Sequence, residues 1–421
     1  MKFINDFWEY CQCYEIPRNY AIWSSIGLLA ASVNRRVYIK QGDITIHANM
    51  YICLVGEQGG RKSTPKDFAR DIFAEVFPNM PVAAAMQTRE KIIEYLASDE
   101  SIRLYHDETG AKIEFHPYIL FINELKNFLS FNAAGMIEFL TDIYDRKFFD
   151  ASTIKRGLEV IPNPCINILA CETPDWIVDR LKGRIISGGF SRRMVYVYEL
   201  EKTNPAEMIC IPRPIITDKA KRAMAAVKQH LLDIKDISGQ FQWTKEGGEF
   251  FDEWYRENKR TLPDDPLMRG YRKTKDVQLL KLCMLLAMAY PKPQLLMTPE
   301  LLQFGLAVLD ANEVNMPRLF MSIGRNELAI PQQKIFDLLE NNDGWLPKKK
   351  LMAEMDKDLT PDEQWKIIRH LKDTDRLFEA DVQLGTNGAV RTMIMTRERY
   401  VEWKKNGSLK EASNDPLQQR V

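Results

Sequence analysis

Apolar and polar positions follow two different periods along this chain. Short apolar runs that end in polar residues or glycine predict buried parallel strands. Between these runs, apolar residues recur every three to four positions, which predicts amphipathic helices. The predicted core strands are 51–55, 118–122, 165–171 and 194–198. Strands that alternate with helices are typical of an α/β domain with a parallel sheet.

The segment ahead of the first core strand has a different pattern. Residues 3–33 predict two helices broken around Pro17, and the second carries many small and apolar residues. Apolar and polar residues then alternate on both sides of Gln41-Gly42, which predicts a β-hairpin over 34–47. We expect this N-terminal segment to pack against the core.

The pattern changes again after the last core strand. Pro205, Pro212 and Pro214 indicate a linker, and helical spacing then predicts an all-helical lid. Three further helices and a hairpin around 385–388 predict a winged helix. The predicted divisions are 1–48 for the N-terminal helices and hairpin, 49–205 for the core, 206–330 for the lid, 331–403 for the winged helix and 404–421 for a disordered tail.

Composition narrows the function classes only slightly. The 421 residues include 58 basic and 58 acidic residues, so any nucleic-acid site must come from a local patch. We find no secretory signal and no apolar run long enough for a membrane, so no membrane partner is expected. The seven scattered cysteines fit a reducing, cytoplasmic setting.

The strand at 51–55 leads into a glycine-rich loop and then a helix, which is the layout of a phosphate-binding P-loop. Backbone N–H groups and a lysine bind phosphate oxygens there, and a hydroxyl binds Mg²⁺. Arg61 stands where the strict pattern has a glycine, so a plain glycine-rich turn is the alternative. The predicted ATP-binding residues are Gly56, Gly59, Gly60, Arg61, Lys62, Ser63 and Thr64, with Ser63 on Mg²⁺.

Two further predicted strands end in polar residues and extend this site. Asn123 and Glu124 follow the second strand; we interpret Asn123 as a Mg²⁺ ligand through water and Glu124 as the general base. A solvated glutamate at the end of a buried strand is the alternative. The third strand ends in Glu172 and Thr173, either of which could sense the γ-phosphate, and Thr173 is our choice for the site.

Three arginines are candidates for contacts with the nucleotide. Arg192 and Arg193 follow a glycine pair just before the last core strand, where an arginine finger could reach a neighbouring subunit. Arg193 is the first choice and Arg192 the second, and a surface arginine pair is the alternative. Arg272 precedes the longest apolar helix of the lid and is predicted to contact the nucleotide from above.

Two basic pairs are candidates for DNA contacts. Lys155 and Arg156 lie near the turn of a predicted hairpin over 147–160 and could contact backbone phosphates. Lys366 and Arg369 share one face of the third winged-helix helix. An exposed basic turn is the alternative for the first pair, and a protein contact is the alternative for the second.

Together these motifs resemble a family of helicase-like ATPases associated with phages, plasmids and prophages and found near primases. The resemblance covers residues 3–320 and rests on 55–64, 122–125, 163–174 and 188–193. It implies an α/β P-loop NTPase core of the AAA+/RecA-like kind that forms a homo-oligomeric ring, expected to be a hexamer. It also implies an ATP-hydrolysing motor that acts on single-stranded or forked DNA, with a primase or another replication protein as partner.

The residues leave other hypotheses open. An initiator, a loader or a defence-associated ATPase switch could bind DNA or a protein partner without processive unwinding. The family often has aspartate where Asn123 stands, so a nucleotide-binding scaffold with little hydrolysis is a third hypothesis.

Overall fold

The computed structural model describes residues 1–83, 87–129, 133–153, 157–180, 189–199, 215–263, 266–317, 319, 329–356, 359–383 and 390–405. The chain forms two compact units, Met1–Ile323 and Gly324–Val421. The predicted internal divisions of the first unit at 48 and 205 remain predictions. Among the described residues, no helix has the length and apolar character needed to cross a bilayer.

Helices and strands of the first unit are numbered in chain order. The helices are α1 Lys2–Cys11, α2 Arg18–Val33, α3 Ser63–Val76, α4 Arg89–Leu96, α5 Leu125–Leu129, α6 Ala133–Ile143, α7 Pro174–Arg180, α8 Phe190–Arg193, α9 Asp218–Ile234, α10 Lys245–Arg260, α11 Pro266–Met288 and α12 Pro299–Glu313. The strands are β1 Val37–Gln41, β2 Ile44–His47, β3 Tyr51–Val55, β4 Arg103–His106, β5 Lys112–Ile122, β6 Phe148–Thr153, β7 Gly157–Pro162, β8 Pro164–Glu172, β9 Met194–Tyr198, β10 Gly239–Trp243 and β11 Leu296–Met297.

A five-stranded sheet in the order β4–β5–β8–β3–β9 forms the centre of this unit. Strands β5, β8, β3 and β9 are parallel, and β4 pairs antiparallel at one edge. Val82 adds a single parallel bridge to Ile119 of β5. The four core strands predicted from apolar runs are therefore present, and β8 separates β3 from β5.

Apolar side chains of the central sheet alternate between its two faces, as the period of a strand requires. In β3, Ile52 and Leu54 join a core with helices α2, α3 and α11, while Tyr51, Cys53 and Val55 join another with α4 and α6. Helix α2 is buried along almost its whole length. Helices therefore cover both faces, and the predicted packing of the N-terminal helices on the core is confirmed.

A second sheet, in the order β11–β10–β1–β2, corrects the expectation of an all-helical lid. Strands β1 and β2 form the predicted hairpin, and β10 pairs parallel with β1. Phe241 of β10 is fully buried between the more exposed Gln240 and Gln242, which is the alternation of a strand. Residues 239–243 and 296–297 are therefore extended within a segment that was predicted as helices alone.

The second unit contains a three-stranded antiparallel sheet and four helices among its described residues. The helices are α13 Ala329–Glu340, α14 Lys348–Met355, α15 Pro361–Asp373 and α16 Arg397–Lys405, and the strands are β12 Trp345–Pro347, β13 Leu377–Gln383 and β14 Val390–Thr396. Strand β14 lies between β12 and β13. Helix α16 extends to Lys405, so the predicted disordered tail is wrong for its first two residues, and 406–421 lie outside the described residues.

Candidate functional site

The carboxyl ends of the parallel strands β3, β8 and β5 lie along one edge of the central sheet. Gly56 follows β3, Thr173 follows β8 and Asn123 follows β5. The crevice at the carboxyl ends of parallel strands is the usual ligand site of such sheets. The fold therefore brings the sequence-predicted loop and both polar strand ends to the same edge.

The loop between β3 and α3 alternates between left-handed and right-handed backbone. The φ angles of Gly59 and Arg61 are 82° and 57°, whereas Lys62 has a φ of −61°. Within this loop the Gly60 N–H donates to the Glu57 carbonyl oxygen at 3.2 Å, and the Arg61 N–H donates to the Gly59 carbonyl oxygen at 2.8 Å. A phosphate bound by these N–H groups would have to replace both hydrogen bonds. Arg61 thus adopts the left-handed conformation that a glycine would adopt without steric cost.

Gly56 is fixed by close packing under the loop. The Tyr20 hydroxyl of α2 donates a 2.6 Å hydrogen bond to the Val55 carbonyl, and a Cβ on Gly56 would overlap that hydroxyl. Desolvation by burial raises the pKa of Tyr20, so its hydroxyl stays a donor at neutral pH. The N-terminal helices therefore support the loop from below, a contribution that the apolar pattern of α2 did not reveal.

Lys62 and Ser63, the predicted phosphate and Mg²⁺ contacts, lie at the end of the loop and the start of α3. The Lys62 Nζ donates 2.6 Å hydrogen bonds to the carbonyl oxygens of Gly56 and Glu57. Ser63 is exposed as the first residue of the 14-residue helix α3, and Thr64 is half-buried beside it. A positive helix end, an ammonium group and a hydroxyl fit a magnesium–nucleotide phosphate.

Asn123 and Glu124 are exposed just beyond β5. The Glu124 carboxylate accepts a 2.7 Å hydrogen bond from the Asn127 Nδ2, and the Lys126 Nζ lies 3.6 Å from it. Both side chains are thus available to solvent at the same edge as the loop. Their residue types suit the predicted roles, since an amide can orient a metal-bound water and a carboxylate can accept a proton.

Glu172 has a structural role that the sequence did not reveal. Its carboxylate is 2% exposed and accepts hydrogen bonds from the backbone N–H groups of Lys126 at 2.7 Å and Thr173 at 2.8 Å. Its carbonyl oxygen accepts the Gly56 N–H at 3.2 Å. Glu172 therefore ties the end of β8 both to the loop after β3 and to the turn that carries Glu124. Thr173 is half-buried, and its hydroxyl donates to the Glu172 carboxylate at 3.3 Å.

Arg192 and Arg193 lie at the opposite end of the sheet. The parallel register pairs Met194 with Tyr51, the first residue of β3. At about 3.3 Å per residue, Arg193 is therefore roughly 16 Å along the strands from the loop that follows β3. Neither arginine is positioned to reach the loop of its own chain.

The two arginines differ in their surroundings. The Arg193 guanidinium donates to the Gly189 carbonyl at 3.0 Å and lies 5.9 Å from the centroid of the Tyr144 ring. Arg192 has an exposed side chain, while its carbonyl oxygen accepts hydrogen bonds from Thr274 and Gln278 of α11. The backbone of Arg192 is thus fixed while its side chain faces solvent.

A buried polar cluster occupies the amino end of the same sheet. Lys281 of α11 is fully buried and donates to Asn49 at 2.8 Å and to Asp145 at 3.0 Å, with its ammonium 4.3 Å from the Tyr144 centroid. Desolvation by burial lowers the pKa of Lys281, and the Asp145 carboxylate opposes this shift.

His47 belongs to the same region. Its Nδ1 lies 3.2 Å from the Arg35 carbonyl oxygen, and burial together with the positive charges of Arg35 and Lys281 lowers the pKa of His47 well below its usual value. The imidazole is therefore neutral in the folded protein at neutral pH.

The remaining predicted nucleotide contact, Arg272, lies in α11 beside α12. Its Nε is 3.1 Å from a Glu313 carboxylate oxygen, and Lys275 forms an ion pair with the same carboxylate. Arg272 also contacts Asn258 of α10, which donates to the Arg272 carbonyl oxygen at 3.1 Å. The described contacts of Arg272 therefore connect it to α10 and α12, and its contact with a nucleotide remains a prediction.

The predicted DNA-binding residues fall into two groups. Lys155 and Arg156 lie outside the described residues, although β6 and β7 form the predicted hairpin on either side of them. Lys366 and Arg369 are exposed on α15 of the second unit. Each has an acidic residue one turn away on the same helix, Asp362 for Lys366 and Asp373 for Arg369.

Comparison with known proteins adds no assignment to this geometry. No protein-family model matches the chain, and no curated protein is significantly similar to it in sequence. The roles of the site residues therefore rest on their positions and chemistry.

Proposed function

We propose that this chain is an ATP-hydrolysing, ring-forming DNA motor, and that its first unit is a P-loop NTPase core of the AAA+/RecA-like kind. The observation that carries the proposal is the phosphate loop, with its alternating backbone between β3 and α3 and with Lys62 and Ser63 at its end. The parallel direction of β3, β8 and β5 also supports it, because it brings Glu124 to the same edge of the sheet as the loop.

Each residue of the site then has a distinct task. The loop N–H groups and Lys62 hold the phosphates, and Ser63 with Asn123, through water, would hold Mg²⁺, which supplies charge neutralisation when bound. Glu124 takes a proton from the attacking water, and Thr173 contacts the γ-phosphate side of the crevice. Glu172 positions Glu124 through the Lys126 N–H group.

A neighbouring subunit would complete the site. Arg192 and Arg193 lie at the amino end of the strands, so an arginine contact with phosphate requires a second copy of the chain. Side-chain exposure supports Arg192 over Arg193, the first choice from the sequence. A closed ring, expected to be a hexamer, would supply such a contact to every site.

Two surfaces support contact with single-stranded or forked DNA. The β6–β7 hairpin exposes the apolar side chains of Phe148, Leu158 and Val160, which suit stacking on bases. Lys155 and Arg156, between these strands in sequence, are the proposed phosphate contacts. In the second unit, the order α13–β12–α14–α15–β13–β14 supports a winged helix in which α15 would meet the phosphate backbone.

ATP hydrolysis with and without single-stranded DNA tests the proposal. Wild-type protein should hydrolyse ATP, and DNA should raise the rate. Lys62→Ala should reduce turnover at least ~100-fold, because the ammonium charge on the transferring phosphate is lost. Lys245→Ala is the matched control, since its side chain is 83% exposed on α10. Turnover that survives Lys62→Ala would reject the site.

A second function is favoured by the charge balance of α15. Asp362 and Asp373 offset Lys366 and Arg369, which fits a helix that contacts a protein better than one that follows a phosphate backbone. In that case the chain is an initiator, a loader or a defence-associated ATPase switch. Hydrolysis without unwinding of a forked duplex would favour this alternative over the motor.

A further inference from the structure

We propose that Glu15 stabilises the left-handed backbone of Arg61, the residue that stands where the strict P-loop pattern has a glycine. Arg61 occupies that glycine's position with a φ of 57°, a conformation that is strained for a residue with a Cβ. Its guanidinium lies 3.5 Å from a Glu15 carboxylate oxygen. By holding the guanidinium, Glu15 favours the left-handed conformation of Arg61 and so makes the Arg61–Glu15 pair a clamp on the loop.

The segment that carries Glu15 is itself fixed against the loop's helix. Tyr14 packs on Phe68 of α3 with ring centroids 5.0 Å apart, and Tyr10 packs on the same ring at 5.1 Å. Tyr20, five residues beyond Glu15, contacts the backbone at Val55. Glu15 is therefore held by the same helix that the loop precedes, which gives its carboxylate a defined position for Arg61.

Glu15 has a left-handed backbone of its own, with a φ of 58° at the end of the turn Gln12–Tyr14. Glu15 and Arg61, the two partners of this ion pair, therefore both adopt the left-handed conformation that favours glycine. Glu15 also begins the short connection between this turn and α2.

The consequence concerns nucleotide affinity and rests on the proposed function. The path of the loop, which places Lys62 and Ser63 at the start of α3, includes a left-handed Arg61 and changes if Arg61 leaves that conformation. A loop already in the binding conformation loses less freedom on binding, so the clamp lowers the Kd for nucleotide. The clamp touches neither the attacking water nor Glu124, so it should alter KM for ATP much more than kcat.

A double-mutant cycle on nucleotide binding tests the clamp. The Kd of a non-hydrolysable magnesium–ATP analogue is measured by calorimetry for wild type, Glu15→Gln, Arg61→Gly and the double variant. Glu15→Gln should raise Kd about two- to five-fold, the range expected for an exposed ion pair. In the Arg61→Gly background the same change should have no effect, because glycine is left-handed without help.

Two further variants sharpen the result. Arg61→Ala removes the pair but keeps the strain, so it should weaken binding at least as much as Glu15→Gln. Glu9→Gln is the matched control, since it removes another ion pair of the N-terminal segment, with Lys219, and should leave Kd unchanged. An equal effect of Glu15→Gln in both Arg61 backgrounds, or no effect in either, would overturn the clamp.

The same measurements separate failure of the clamp from failure of the proposed function. If wild-type protein binds the analogue and Lys62→Ala abolishes binding, the phosphate site stands whatever the cycle shows. If wild type binds no nucleotide, both the site and the clamp are rejected.

Discussion

The two ends of the central parallel sheet are built in opposite ways. At the carboxyl end, Lys62 donates to two loop carbonyl oxygens and Glu124 faces solvent. At the amino end, Lys281 is fully buried between Asp145 and Asn49. The carboxyl end leaves Glu124 exposed and Lys62 half-buried, whereas at the amino end the buried Lys281 connects α11 to residues beside the sheet.

The difference shows how burial separates binding groups from structural ones. Both ends contain a lysine with two oxygen partners, so counting hydrogen bonds would not distinguish them. Lys281 has lost its water, and removing its carboxylate partner would leave a buried charge. Lys62 keeps access to the crevice, so exchanging its carbonyl partners for phosphate costs little desolvation.

Among the variants that test this difference between the two ends of the sheet, a change at Glu124 of the carboxyl end should have the largest effect. Glu124→Gln should lower kcat for ATP by roughly 100- to 10,000-fold, because the amide cannot accept the proton of the attacking water. Nucleotide affinity should stay near that of wild type, as measured by calorimetry. Glu253→Gln, on the exposed side of α10, is the control and should leave kcat unchanged.

A subunit-mixing experiment belongs with this variant. Glu124→Gln protein mixed with Arg192→Ala protein should regain part of the activity, since some interfaces then pair an intact base with an intact arginine. Arg193→Ala should be mixed in parallel, because it was the first choice from the sequence. Absence of any recovery in both mixtures would argue against an arginine acting between subunits.

At the amino end the largest expected effect is on stability. Asp145→Asn should lower the free energy of unfolding by roughly 2 to 4 kcal/mol, because it leaves the Lys281 charge buried without its counter-ion. Lys281→Met should cost less, since it removes the charge together with the need for a partner. Urea unfolding measures both, with Asp142→Asn, in an exposed ion pair with Arg146, as the control. An equal loss from Asp145→Asn and Asp142→Asn would contradict the structural role of the cluster.

A smaller effect is expected from His47. Because the folded protein keeps this imidazole neutral while the unfolded chain binds a proton below about pH 6.5, stability should fall as the pH drops below that value. The loss should reach about 1 kcal/mol between pH 7 and pH 5.5. His47→Gln should remove this slope, whereas His106→Gln, at an exposed position, should retain it.

More features of the carboxyl end of the sheet than of its amino end could be predicted from the sequence. An apolar run followed by Gly56, Asn123 or Thr173 indicates a buried strand and the glycine or polar residue after it, all within a few positions of the sequence. The cluster around Lys281 joins residues more than a hundred positions apart, so no local pattern contains it. Strand β10 was not predicted, although its residues alternate, because the alternation covers only five residues and its partner β1 lies roughly 200 residues earlier in the chain.

Within the site, the sequence predicted residue types better than conformations. The spacing of Lys62 and Ser63 predicted a phosphate-binding loop, and Arg61 stood out only as a departure from the pattern. The left-handed backbone of Arg61 and its pairing with Glu15 depend on the packing of the N-terminal segment. The structural role of Glu172 likewise follows from the burial of its side chain, and its position at the end of a strand does not predict that burial.

The pairing of β1 with β10 also has a consequence for how the chain reaches its native state. Closing a loop of roughly 200 residues is entropically costly, so high contact order should make completion of this second sheet a slow step. During synthesis, β1 leaves the ribosome long before β10, and the β1–β2 hairpin must wait with an unpaired edge. That interval exposes a template for wrong pairing, which makes this edge a point where a chaperone would most improve the yield of folded protein.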